Sequence, residues 1–152
     1  MCGISGIISR RLSPGEIRDR LENMGSLQRH RGPDDAREEV LFSNDTLVGL
    51  GFVRLAILDL DTGMQPVVSN ADGCAIVCNG QVYNYIELQE EVSSEEFTTR
   101  GDIEVALHLY RKKGIEFLDY LNGMYAGAVF DPRQKRVLLF RDRFGIKPLY
   151  YT

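Results

Sequence analysis

Apolar residues along this chain alternate between short continuous runs and a 3.6-residue spacing, and the switches between the two divide it into elements. The run Ile4 to Ser9 predicts a strand that begins almost at the chain terminus, an end that is normally frayed. Ser13-Pro14-Gly15-Glu16 then offers a helix start, with serine as cap, proline at the first position and an acid in the first turn. Ile17, Leu21, Met24 and Gln28, with Leu27 beside them, follow at helical spacing and predict an amphipathic helix of about four turns with that stripe in the core. The helix ends in the charged segment Arg29-His30-Arg31-Gly32-Pro33-Asp34-Asp35, where glycine and proline halt regular structure.

The runs Val40 to Phe42, Leu47 to Val53 and Leu55 to Leu60 predict antiparallel strands, with Asn44-Asp45 turning between the first two. After a loop at Thr62 to Pro66 and a turn at Asp72-Gly73, Cys74 to Cys78 predicts a further strand leading into Asn79-Gly80-Gln81. Tyr83 to Val92 predicts a short helix and Glu95 to Thr98 a strand. Asp102 is placed to cap the next helix, which carries Ile103, Ala106, Leu107 and Tyr110 on one face and stops at Lys112-Lys113-Gly114. A second short helix over Ile115 to Leu121 leads to Met124 to Phe130 and Val137 to Phe140, a hairpin turning at Asp131 to Lys135. There are no internal repeats, linkers or low-complexity segments. Strand, helix, several strands, helices and a hairpin in that order predict an α+β fold of antiparallel sheets covered by helices.

Composition narrows the chemistry. With 152 residues, 43% of them hydrophobic and 26% charged, the chain suits one globular domain able to bury a core. Its 18 basic and 22 acidic residues leave a net charge of −4, and no lysine or arginine block occurs, which disfavours nucleic acid and anionic membranes as partners. No secretory leader or membrane-length apolar run is present, and three cysteines are a sparse, odd set suited to a reducing compartment, so a cytoplasmic location is expected. Cys74 and Cys78, four residues apart on a strand, face the same way and are expected in the core.

Four places carry candidate chemistry. Cys2 would become the terminal residue on removal of Met1, placing a thiol and an α-amine of reference pKa about 7.7 to 8.0 on one residue, nucleophile and base together. Arg54 lies between apolar Val53 and Leu55, where a charge costs several kcal/mol unless it meets an anion; a strand edge facing solvent and a bidentate carboxylate site are the two readings. Asn79-Gly80 fits a tight turn or an amide and bare N–H directed at a developing oxyanion. The segment Gln28 to Asp35 is expected to be a lid or brace near the site, with His30 bracing rather than catalytic.

Met1-Cys2-Gly3-Ile4, His30-Arg31-Gly32-Pro33-Asp34, Arg54-Leu55-Ala56-Ile57 with Asp59, Asn79-Gly80 with Tyr83-Asn84, Gly101-Asp102 with Glu104, and Arg141 to Tyr151 stand in this order along the chain. Together they resemble the glutaminase domain of class II glutamine amidotransferases, most closely that of glutamine-hydrolysing asparagine synthetases, over essentially the whole chain. The resemblance implies a four-layer αββα sandwich of the N-terminal nucleophile hydrolase type. It implies that Cys2 attacks the side-chain amide of L-glutamine, that Asn79 Nδ2 and the Gly80 N–H form an oxyanion hole, that Arg54 holds the substrate α-carboxylate and Asp102 its α-ammonium, and that Ile57 and Gln81 line the substrate site. Hydrolysis of the γ-glutamyl thioester would release glutamate and ammonia for an ATP-dependent amidation in a synthetase domain, aspartate to asparagine by default.

Three departures stand out. Gln81 occupies a position where the family usually has glutamate, which predicts weaker glutamine binding by about 1 kcal/mol. Phe52 and Val53 replace polar residues before the arginine. The family's glutaminase domain continues past Lys147-Pro148-Leu149-Tyr150-Tyr151 with at least one more strand, so residues 1–152 are expected to form one glutaminase domain, C-terminally truncated, with an unpaired sheet edge near its end. No cofactor is expected in this domain; ATP and Mg are implied for the synthetase domain, and the longer enzyme could be a homodimer. The alternatives are an amidotransferase for a different carboxylate acceptor and a non-catalytic glutamine-binding or interaction module. The segment Arg141 to Lys147, with Asp142 in a salt-bridged turn, is expected to face the partner domain.

Overall fold

A computed structural model describes residues 1–152. The elements are β1 (Gly3–Ser9), α1 (Pro14–Leu27), β2 (Asp35–Ser43), β3 (Thr46–Arg54), β4 (Val67–Val68), β5 (Ala75–Val82), α2 (Tyr85–Glu91), α3 (Asp102–Lys113), α4 (Phe117–Tyr120), β6 (Gly123–Asp131) and β7 (Arg136–Arg141), with a 3-10 turn at Gly114–Glu116. Two antiparallel sheets result, in the orders β1-β3-β2 and β4-β5-β6-β7.

The sheets face each other through Val48, Leu50 and Phe52 of β3 and Ala75, Val77, Ala128 and Phe130 of β5 and β6. On its outer face the first sheet carries α1, whose Ile17 and Leu21 are fully buried. The second sheet carries α2 and α3 around Ile76, Leu107, Tyr110, Phe117 and Phe140. Tyr110, Phe117 and Phe140 stack edge to face there, with ring centroids 5.6 and 5.5 Å apart. The layers therefore run helix, sheet, sheet, helix, the αββα order implied by the resemblance.

Local chemistry explains most boundaries. Ser13 and Glu16 form a reciprocal capping box that starts α1, the Ser13 N–H donating to Glu16 at 2.8 Å. Met24 and Leu27, expected in the stripe, are exposed; α1 lies over small residues of β3, where a Cβ on Gly49 would come within 2.4 Å of Ile17, so its contact narrows to Ile17 and Leu21. Leu55 to Leu60 is a loop and not a strand. The Arg54 guanidinium donates to the Leu58, Asp59 and Leu60 carbonyls, and Asp59 turns left-handed at φ 51°, both incompatible with an extended ladder.

Glu95 to Thr98 is likewise not a strand. Buried Glu104, near the start of α3, accepts the Thr98 N–H at 2.9 Å, the Thr99 N–H at 2.6 Å and the Thr98 hydroxyl at 2.8 Å, taking the donors that a ladder would need. Gly101, not Asp102, is the N-cap of α3; Asp102 is the first helical residue and its carboxylate reaches across to the Val82 N–H at 2.6 Å. Asp142 makes no salt bridge. It is buried, and its two oxygens accept the backbone N–H groups of Tyr125, Phe144, Ile146 and Lys147. β7 pairs with β6 alone and forms one edge of the second sheet.

Burial by itself would raise the Glu104 carboxyl, but the His108 ring 3.7 Å away and the donors of Thr98 and Thr99 outweigh it and hold the group at about 2, below its ordinary 4.5. A depressed carboxyl contributes stability that is present above pH 4.5 and is lost as pH falls toward 2. Glu104→Gln is expected to destabilise the protein by about 2 kcal/mol at pH 7. Urea denaturation should show the difference from wild type shrinking as pH is lowered from 5 to about 3.

Candidate active site

The site begins with the pairing that fixes the chain terminus. β1 runs antiparallel to β3 with Gly3 opposite Val53, so Cys2 falls beside the end of β3. Leu55 clasps its sulfur from both directions: the thiol donates to the Leu55 carbonyl at 3.6 Å and the Leu55 N–H donates to Sγ at 3.4 Å. The segment after α1 braces the same end. Gln28 Nε2 donates to the Ile4 carbonyl at 3.3 Å and Arg31 Nε to the Cys2 carbonyl at 3.2 Å. Gly32 lets this segment approach, since a Cβ there would meet the Val53 carbonyl at 2.4 Å. The expected brace is thus present, but Gln28 and Arg31 form it; His30 is exposed and takes no part.

Cys2, Arg54, Ile57, Asn79, Gly80, Gln81 and Asp102 all line one cavity of about 110 Å³, together with Phe52, Gln65 and Lys147. These seven residues converge on one place, although they come from the terminus, a loop, both sheets and a helix.

The wall made by β5 owes its form to an alternation. Asn79-Gly80 continues the strand without positive φ and is not a turn. Along the β5 edge facing away from β6, Ile76 pairs with β4, but β4 is only two residues long. Beyond it side chains take over: Gln65 accepts the Cys78 N–H at 2.7 Å and donates to the Cys78 carbonyl at 3.2 Å, and Asp102 accepts the Val82 N–H. Successive residues of a strand direct their backbone groups to opposite edges, so Gly80, between Cys78 and Val82, presents its N–H on that same outer edge. Its opposite number on β6 agrees, because Tyr125 spends its N–H and carbonyl on Asp142. A Cβ on Gly80 would come within 2.2 Å of the Met124 carbonyl, which restricts the position to glycine.

The charges in the cavity are separated rather than paired. Buried Arg54 commits one Nη1 and two Nη2 bonds to loop carbonyls, leaving Nε–H and one Nη1 hydrogen. Asp59 secures that loop in turn, accepting the Thr62 N–H at 3.0 Å and the Arg100 N–H at 2.7 Å, and so ties it to the approach to α3. Burial raises the Asp102 carboxyl, against the pull of the Val82, Asp102 and Ile103 amides. Asn79 is buried and its side-chain amide has no protein partner. No group of three or more acidic, histidine or cysteine side chains is arranged to hold a metal ion.

Gln65 escaped the sequence reading, and Asp59 appears there only as part of the Arg54 motif, without a role. Asp59-Leu60-Asp61-Thr62-Gly63 carries the Asp-to-Thr spacing of a side-chain-capped turn, a signal that was available. A lone glutamine pairing with a strand leaves no local trace.

The Cys2 thiol, an unpartnered amide, an edge N–H and unpaired buried charges thus share one cavity of an αββα sandwich. The whole chain, residues 1–152, matches the glutamine amidotransferase domain family and belongs to it. It is 41% identical over 154 residues to asparagine synthetase (glutamine-hydrolyzing) 2 of Bacillus subtilis, covering 100% of this chain and 20% of that protein. It is 37% identical over 151 residues to asparagine synthetase B (glutamine-hydrolyzing) of Escherichia coli, covering 99% of this chain and 26% of that one. In fold it resembles the glutamine phosphoribosylpyrophosphate amidotransferase of B. subtilis, at TM-score 0.61 and 19% identity over 85% of this chain and 35% of that one. The chain thus spans a fifth to about a quarter of the length of these two curated relatives.

Replacing Gln65 by methionine, of similar shape, would strand the Cys78 N–H and carbonyl in the interior. Gln65→Met is expected to cost about 2 to 4 kcal/mol in urea denaturation.

Proposed function

We propose that this chain hydrolyses the side-chain amide of glutamine to glutamate and ammonia. The observation that carries the reading is the meeting, in one cavity, of the Cys2 thiol, the unpartnered Asn79 amide, the outward Gly80 N–H, and the buried cation Arg54 and acid Asp102. Once Met1 is removed, the α-amine of Cys2 takes the thiol proton and the sulfur attacks the amide carbon. Negative charge gathers on the amide oxygen, where Asn79 Nδ2 and the Gly80 N–H are its donors. The amine then returns the proton to the departing nitrogen, ammonia leaves, and water cleaves the thioester to give glutamate and free thiol.

Arg54 and Asp102 divide the recognition of the zwitterion, guanidinium to α-carboxylate and carboxylate to α-ammonium. Burial discourages the charged form of Asp102, and a bound ammonium restores it, so an analogue lacking the amine loses its attraction for the site. Ile57 and Gln81 complete the lining, the latter neutral where relatives by resemblance carry an acid. We further assign the released ammonia to a synthetase domain of the longer enzyme, which amidates aspartate with ATP and Mg. Dimerisation, if it occurs, is assigned to the longer enzyme.

Cys2→Ala is expected to abolish glutamine hydrolysis while calorimetry still detects glutamine binding; substantial turnover in this variant would overturn the nucleophile. Intact mass of the active protein should lack Met1, and full activity with Met1 retained would exclude the terminal amine as base. It would also separate this reading from a non-catalytic glutamine-binding module, which needs no processing.

Asn79→Ala should lower kcat by about 100-fold or more with little change in KM, measured by ammonia release. A change confined to KM would make Asn79 a binding residue instead.

A further inference from the structure

The cavity holds one charged side chain that the proposed reaction leaves idle. Lys147 follows the turn after β7 and is 5% exposed. Its Nζ lies 2.9 Å from the thioether sulfur of Met1, and it lines the same cavity as Cys2 and Asn79. None of the ion pairs of the protein includes it. Asp142, the acid closest in sequence, is saturated by backbone donors, among them the N–H of Lys147 itself at 3.1 Å. That nest fixes the Lys147 backbone against β6.

A buried ammonium whose partner is a thioether is poorly compensated, because sulfur of this kind is a weak acceptor. The compensation is also temporary, since removal of Met1 takes the thioether away. Several groups then face or flank the Cys2 residue: its own α-amine, Arg31 behind its carbonyl, Arg54 at the end of β3, Cys78 on β5, Asp102 at the start of α3, and Lys147. Arg31 and Arg54 are already engaged with backbone carbonyls. Burial pushes the Cys78 thiol up, which keeps it neutral. Among the cations, Lys147 alone retains no oxygen partner for its side chain.

We propose that Lys147 is a positioning residue whose ammonium stabilises the Cys2 thiolate once Met1 has been removed, and that the Met1 thioether occupies its place in the unprocessed chain. The thiol proton passes to the α-amine, the sulfur keeps the electron pair, and Lys147 keeps its own proton throughout. The inference rests on Cys2 being the nucleophile, but its test does not depend on turnover. Met1 and Lys147 are 146 residues apart in sequence and are brought together by the sandwich.

The test is the pH dependence of Cys2 alkylation by iodoacetamide in the Met1-processed protein, read by mass spectrometry of the N-terminal peptide. Cys74 and Cys78 are internal controls, since both are buried and burial pushes the Cys74 thiol up to about 12. In Lys147→Met the half-maximal pH should rise by about one unit, a tenfold slower alkylation at neutral pH, while Lys147→Arg should stay near wild type. An unchanged alkylation profile in Lys147→Met overturns the proposal. If Lys147→Met does not fold, Lys147→Gln, polar and uncharged, carries the same expectation and the same refutation. A wild-type protein that releases no ammonia from glutamine, yet shows the shift, would retain the Lys147 assignment and defeat the glutaminase reading; active wild type with no shift would do the reverse.

Discussion

The antiparallel pairing of β1 with β3 is the constraint on which the site depends. A chain terminus ordinarily frays, and a thiol carried on it could not be held within an ångström of anything. Here seven successive residues, Gly3 to Ser9, are laddered onto β3, and the neighbouring β2 strand ladders on the other side. The register that places Gly3 opposite Val53 also delivers Arg54 and Leu55 beside Cys2. One pairing thus brings the Cys2 sulfur and a buried guanidinium to the same end of the sandwich. Gln28, Arg31 and the close approach at Gly32 then secure it from behind.

The second sheet supplies the other half, and it does so by remaining incomplete. Because β4 begins only at Val67, the outer edge of β5 beyond Ile76 is left to side chains. Gln65 and Asp102 take alternate positions, and Gly80 is left between them. The charged groups follow the same economy. Arg54, Asp102 and Lys147 are all buried, and none finds an opposite charge at ion-pair distance. Keeping such charges apart in a low-dielectric site is costly, and backbone groups offset part of that cost at Arg54 and Asp102.

Local pattern revealed the elements that local chemistry decides. Ser13-Pro14-Gly15-Glu16 predicted the start of α1 because a capping box is written in four consecutive residues, and the final hairpin followed from two apolar runs about a turn. Leu55 to Leu60 and Glu95 to Thr98 deceived for the opposite reason. Their apolar or β-prone composition is overridden by single side chains just outside each run, Arg54 and Glu104, which take the backbone groups a ladder requires. The site residues were readable through their motifs, and Arg54 and Asp102 also as charges in apolar surroundings. Gln65 and Lys147 were not, since a side-chain amide completing a strand and an amine reaching back to residue 1 exist only once both sheets have closed.

The outer edge of β5 has one more consequence. A bare strand edge is a template on which any extended peptide can pair, and proteins usually defend such edges with charge, proline or a covering element. On β5 the defended residues, Cys78 and Val82, are four apart, so the interval between them is the outward backbone of the single residue Gly80. An incoming strand needs consecutive pairs and finds the next one on either side already taken by Gln65 or Asp102. A small carbonyl group needs only the one. The edge therefore offers no ladder to an incoming strand, while the backbone of Gly80 stays open to a group as small as one carbonyl.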